Sequence, residues 1–326
     1  MRLNYYDFLR GIAILMVVAI HTGPAYHFES MQGVLVVMVR QVLNCAVPIF
    51  FAISGYFLAM KKLETKKEIF LFWRHQIPKV YIPVLIWSLP YLFLSLRAGK
   101  EPLLVLMQYL ICGCSVYYFI AVIIQYYLLL PVLQNVKRGG GVKLCILISM
   151  ASIVLVTYLL QIRGLSLPLV VYAGHGDLWL MFFVIGIFLR RSPLGCSLWW
   201  YVGMVILSFF WQMVESYGLY SFQGSGLGIK PSSFLFSMSV ILSLFHPLVV
   251  NRYSERKRCI RWIRELGRIS FGVYLIHCFF IQILSYAGLR QLPWGLLWIV
   301  VLLASIITIV ISKKILPKVL NQYFGV

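Results

Sequence analysis

Two side chains with useful chemistry stand inside the first apolar stretch, "YYDFLRGIAILMVVAIHTG" over residues 5–23: Arg10 near its start and His21 near its end. An ionised group at the centre of a bilayer costs about 2.5–3.5 kcal/mol on insertion scales, so keeping either one there calls for a use. A histidine accepts and returns a proton near neutral pH, and an arginine is a fixed anion binder. Eleven helical steps of ~100° return to within ~20° of the starting direction, and a rise of ~1.5 Å per residue sets the pair ~16 Å apart. Asp7 falls one turn before Arg10 on nearly the same face. Such a polar file must face a bundle interior or a cavity. Plainer roles stay open for both: Arg10 snorkelling to headgroups, and His21 bonding a carbonyl at the interface.

Other residues of the same kind are scattered through apolar surroundings. Arg40 and Asn44 lie one helical turn apart, where they either line a site or make structural contacts. His175 and Asp177, with His27, Glu29 and Glu215, fall near the ends of apolar stretches on one side and are candidate contacts for an acceptor substrate. Ser54-Gly55 reads as a close-packing step between helices, and His277 as a core histidine. Seven cysteines show neither a Cys-x-x-Cys pair nor a Cys/His cluster, so no metal site is expected.

The elements that would position these groups are membrane helices. The chain has 326 residues, 61% of them hydrophobic and 12% charged, with apolar runs of spanning length along its whole extent. The expected fold class is all-α: a polytopic membrane helix bundle forming one domain over residues 1–326. About ten spans fall near residues 6–26, 33–60, 80–96, 115–134, 144–160, 177–189, 197–214, 232–250, 269–286 and 294–312. The first is expected to stay uncleaved, since Asp7 and Arg10 interrupt its start and no small-x-small site follows His21. Residues 101–114 read as re-entrant or interfacial.

The net charge of +20 reflects orientation and not nucleic acid. Splitting the loops of a ten-span chain into two sets gathers 23 of the 29 Lys and Arg residues on one face. The positive-inside rule makes that face cytoplasmic and both termini with it. Arg10 then lies at the cytoplasmic mouth of the first span and His21 toward the outer one.

The stretches "DFLRGIAILMVVAIH" and "VPIFFAISGYFLA" (residues 47–59) resemble the first two spans of the acyltransferase 3 family, bacterial integral-membrane O-acyltransferases. "YYFIAVIIQYYLLLP" (117–131), "LWLMFFVIGIFL" (178–189) and "LGRISFGVYLIH" (266–277) follow in the family's order. The resemblance implies transfer of an acyl group, usually acetyl, from cytoplasmic acyl-CoA to a hydroxyl of an extracytoplasmic glycan or lipid-linked sugar, in the bacterial cytoplasmic membrane. His21 would be the catalytic base, with direct transfer and a covalent acyl-histidine both open. Arg10, Arg74 and Lys79, together with the basic run "RYSERKRCIRWIR" (252–264), would hold the donor's phosphates. The family usually shows two arginines three apart before the third span, where this chain has Gln76 and Lys79. A glycan exporter of similar fold is the competing class; neither an internal repeat nor a matched pair of broken helices supports it.

Overall fold

The computed structural model describes residues 4–24, 28–136, 140–223, 227–315, 317, 321 and 323–325. Among these residues there are helices and no strand. In chain order they are α1 (Asn4–Thr22), α2 (Met31–Leu43), α3 (Ala46–Leu58), α4 (Lys66–Arg97), α5 (Pro102–Leu110), α6 (Tyr118–Leu133), α7 (Gly140–Thr157) and α8 (Leu169–Ala173). They continue with α9 (Gly176–Arg191), α10 (Leu198–Gln223), α11 (Pro231–Leu244), α12 (Pro247–Arg252), α13 (Arg258–Arg268), α14 (Ser270–Tyr286) and α15 (Trp294–Ile315). Every one of the ten expected spans contains a helix. Among the described residues six helical segments are long and apolar enough to cross a membrane outright, or seven if one bent pair counts as a single span. Helices α6 and α11 are apolar but shorter, at 16 and 14 residues.

The chain divides into two compact units interleaved in sequence: residues 1–60, 136–167 and 177–268 in the first, and 61–135, 168–176 and 269–326 in the second. The first unit holds the candidate chemistry of α1. Its helices cross where glycine removes a side chain. A Cβ on Gly55 of α3 would sit 2.0 Å from the Phe183 carbonyl oxygen of α9, and one on Gly186 would sit 2.1 Å from the Ala52 carbonyl oxygen. The "SG" step thus packs two backbones together, while Ser54 returns its hydroxyl hydrogen bond to Phe50 O at 2.8 Å. Beside this crossing Trp179 stacks on Phe234 with ring centres 5.0 Å apart. Helix α13 lies against α1 in the same manner: a Cβ on Gly267 would come within 1.7 Å of Asp7 O, and one on Gly11 within 1.9 Å of Ile263 O.

The second unit ties together two of the segments that resemble the family. Tyr117, ahead of α6, donates its hydroxyl to Leu275 O of α14 at 2.6 Å, and Tyr274 donates to Val116 O at 2.6 Å. His277 is fully buried there, a ring nitrogen 2.7 Å from Tyr274 O. Helix α4 differs from expectation. The sequence suggested a cytoplasmic loop followed by a span from residue 80, yet a single 32-residue helix starts at Lys66 and runs through Pro78, Pro83 and Pro90. A capping box explains the start: Thr65 accepts from Glu68 N at 3.2 Å, and the Glu68 carboxylate accepts from Thr65 N at 2.9 Å. Exposed leucines and isoleucines along α15, such as Leu303 and Ile307, are the surface that lipid covers.

Candidate functional site

The site grows from the two ends of α1. At the N-terminal end Asp7 is fully buried, and its Oδ1 accepts from Arg10 Nη1 at 2.9 Å. Its Oδ2 lies 3.6 Å from Arg268 Nε of α13. The Arg10 guanidinium also sits 5.0 Å over the Phe57 ring. A buried carboxylate needs such cations, since an unpaired charge would cost several kcal/mol. Arg10 therefore serves Asp7 first. It keeps part of its guanidinium accessible, with 23% of the side chain exposed.

Between the two ends the same face is packed and apolar. Ile14 and Val17 are essentially buried, so the polar file is interrupted by two turns of tight packing. His21 stands half-buried in the last turn of α1. Arg40 of α2 reaches this turn and donates through Nη1 to Ile20 O, the carbonyl just before His21. That bond satisfies one of the helix's terminal carbonyls and sets a cation at the negative end of its dipole.

One residue past Arg40 begins a buried polar cluster whose members are far apart in the sequence. Gln41 is fully buried and links its own helix to two other elements, α10 and the start of α11. Its Oε1 accepts from Lys230 Nζ at 2.9 Å, from Asn44 Nδ2 at 2.9 Å and from Gln212 Nε2, while its Nε2 donates to Ser216 Oγ. Gln212 also donates to Gln41 O at 2.9 Å, and its own Oε1 is buried without a hydrogen-bond partner among the described residues. Glu215 of α10 reaches the start of α11, where its carboxylate accepts from Ser232 N at 3.0 Å and from Ser232 Oγ. Lys230, just ahead of α11, is 1% exposed; burial pulls its ammonium down to about 7, against a smaller opposing pull from Glu215. Two signals were available in the sequence: Gln212 and Ser216 share one face of an apolar helix, and Gln41 adjoins Arg40. Neither spacing said that Lys230, some 190 positions from Gln41, would join them.

The other expected site residues are placed as follows. Asn44 caps the end of α2 and bonds Gln41. Asp177 is exposed at the start of α9, with its carboxylate accepting from Ser152 Oγ and its carbonyl from Ser149 Oγ at 2.8 Å. Arg74 and Lys79 belong to the second unit and are exposed on α4, and His175 is exposed in that unit ahead of α9. His27 lies outside the described residues. No three His, Cys, Asp or Glu side chains gather at metal-ligand spacing among the described residues.

Apolar helices that carry a buried ion pair, a half-buried histidine and a buried lysine–glutamine cluster define a multi-pass membrane protein with a polar, chemistry-bearing interior. The family model for the acyltransferase domain matches residues 3–313, and the chain belongs to that family. A serine/alanine racemase of Enterococcus gallinarum is 26% identical over 289 residues, which cover 83% of this chain. The chain spans 40% of that protein's length. No solved structure is significantly similar.

Proposed function

We propose that this membrane acyltransferase moves an acyl group, acetyl in the first instance, from cytoplasmic acyl-CoA to a hydroxyl of an extracytoplasmic glycan or lipid-linked sugar. The observation that carries the reading is α1 itself. One helix bears Arg10 beside a cationic α13 at its N-terminal end and, at its C-terminal end, His21 next to the Ile20 carbonyl that Arg40 bonds. The positive-inside rule supports a cytoplasmic Arg10 end, on the side where acyl-CoA is found.

Transfer from a thioester to an alcohol needs a base for the hydroxyl proton and donors for the tetrahedral oxyanion. In the direct route His21 takes the hydroxyl proton as the oxygen attacks the thioester carbonyl. The C–S bond then breaks, and the thiolate recovers the proton as the CoA thiol. In the covalent route the imidazole nitrogen attacks first and the C–S bond breaks, expelling CoA as its thiol with the proton the imidazole loses; the alcohol then attacks the acyl-imidazole carbonyl, the C–N bond breaks, and the hydroxyl proton ends on the freed imidazole. The unfilled Gln212 Oε1 and the Lys230 ammonium offer an acceptor and a donor for a polyhydroxylated substrate in the same unit.

The test is His21→Ala, with acylation and export of one glycan measured in the same cells. The expected outcome is retained acyl-CoA binding with transfer slower by about 10² to 10⁴, the usual contribution of a positioned acid or base. Normal acylation removes His21 from the mechanism. Accumulated unexported glycan with normal acylation would make the protein an exporter.

A further inference from the structure

The inner face of the first unit carries a groove of about 670 Å³, a volume in the range of small-molecule sites. Its walls come from three elements: Tyr5 and Phe8 on the first two turns of α1, Arg252 at the end of α12, and Tyr253, Arg256 and Lys257 on the segment leading into α13. The Tyr5 and Phe8 rings each lie 5.4 Å from the Tyr253 ring, so the groove has an aromatic side. A hydrogen bond from Tyr5 Oη to Leu244 O at 2.6 Å holds that side in place.

The charges around the groove are unbalanced in a particular way. Three carboxylates stand at this end of the unit, and all are taken by other arginines. Asp7 is held by Arg10 and Arg268, Glu255 by Arg264, and Glu265 by Arg264 and Arg268. Arg252, Arg256 and Lys257 are exposed and have no carboxylate partner among the described residues. Two guanidinium forks and an ammonium beside three aromatic rings match a ligand with phosphate groups and a flat base: the cations bind phosphate oxygens, and the rings and guanidinium planes stack on the base.

Distance agrees with chemistry. Phe8 precedes His21 by thirteen residues, or ~20 Å along α1. In acyl-CoA roughly sixteen bonds separate the 5′ oxygen of the nucleotide from the sulfur, and an extended chain gains ~1.1–1.2 Å per bond, for a reach of ~18–19 Å. The extended donor arm therefore matches the rise from Phe8 to His21, provided it runs beside the packed Ile14–Val17 face and not through it.

We infer that this groove is the nucleotide–phosphate subsite for the acyl-CoA donor, with Arg252, Arg256 and Lys257 on the phosphates and the Tyr5–Phe8–Tyr253 side against the adenine. The inference rests on the acyl-CoA reading of the function. Phospholipid headgroups share the phosphate chemistry, so the test must separate the two sources.

Full-length protein in phospholipid-free detergent is titrated with CoA and with adenosine 3′,5′-bisphosphate, the nucleotide half alone. The titrations are repeated for Arg256→Ala, Lys257→Ala and the double variant, with melting temperature as a check on folding. Wild type should bind both ligands, and the double variant should weaken both by roughly tenfold or more, the equivalent of losing one charge-assisted hydrogen bond. The advantage of acetyl-CoA over S-acetylpantetheine as donor should shrink by a similar factor. Unchanged CoA and nucleotide affinity in a folded double variant overturns the subsite while leaving the acyl-CoA reading intact. Loss of phosphatidylglycerol retained from nanodiscs, with nucleotide binding unaltered, assigns the groove to lipid and likewise overturns it. Wild type that neither binds nor uses acyl-CoA overturns both readings.

Discussion

Gly267→Ala adds one methyl group where α13 meets α1, and the structure sets what it must do. The new Cβ would lie 1.7 Å from Asp7 O, against about 3.4 Å for an ordinary contact, so the backbones must part by the difference, 1.7 Å. The obstacle is main chain, which cannot rotate aside. Opening the crossing by that much forfeits most of the dispersion between Asp7, Gly11, Ile263 and Leu266, because a gap of even 0.5–1 Å loses a quarter to a half of each contact. It also carries Arg268 Nε beyond reach of Asp7 Oδ2, now 3.6 Å away. Overpacking of this kind costs about 1–3 kcal/mol or more, and the gain in helix propensity from glycine to alanine returns about 0.5–1, leaving a net loss of ~2 kcal/mol. At ~2 °C per kcal/mol for a chain of this length, the apparent melting temperature in detergent should fall by ~4 °C. Gly203→Ala on α10, where nothing lies within 4 Å of the new Cβ, should leave it unchanged or raise it slightly. A Gly267→Ala protein that melts with wild type, or shifts as Gly203→Ala does, refutes the account of the α1–α13 crossing.

Two further outcomes follow from the outer cluster. Glu215→Gln removes the carboxylate that caps α11 through Ser232 and should cost about 1 kcal/mol, or ~2 °C; an unshifted melting temperature with weaker acceptor binding would move Glu215 from cap to substrate contact. Lys230 has a folded pKa pulled from 10.5 to about 7, so the unfolded chain binds the extra proton between those values, and the stability of wild type relative to Lys230→Met should be flat below pH 7 and rise from there toward pH 10.5. Melting curves for the two proteins at pH 6, 7, 8 and 9 check this, and a constant difference across the series would refute it.

The Arg10 and His21 spacing put both side chains on one face of one helix without any tertiary information, because an α-helix repeats every ~3.6 residues whatever surrounds it. What that face met was not legible. Ile14 and Val17 look like any apolar pair in the sequence, yet they pack tightly and divide the polar file into two separate ends. Arg10 reads as a free anion binder until Asp7 and Phe57 are seen against it. The continuous helix through three prolines was hidden for a related reason: residue-by-residue propensity disfavours it, and a capping box with a membrane-length apolar run outweighs that preference.

The sequence by itself determined the helical class, the positions of the apolar stretches and the uneven spread of basic residues between them. All three follow from local composition, since bilayer thickness and backbone hydrogen bonding constrain each segment on its own. The tertiary structure decided which polar groups share a site. Gln41, Gln212, Ser216 and Lys230 come from three separated stretches, and Tyr5, Arg252 and Lys257 around the groove come from two. Their meeting depends on where backbones approach closely, at Gly11 against Ile263, Gly267 against Asp7 and Gly55 against Phe183. A glycine announces that close approach is allowed, but only the packed helices select the partner, because the contact is between atoms distant in sequence.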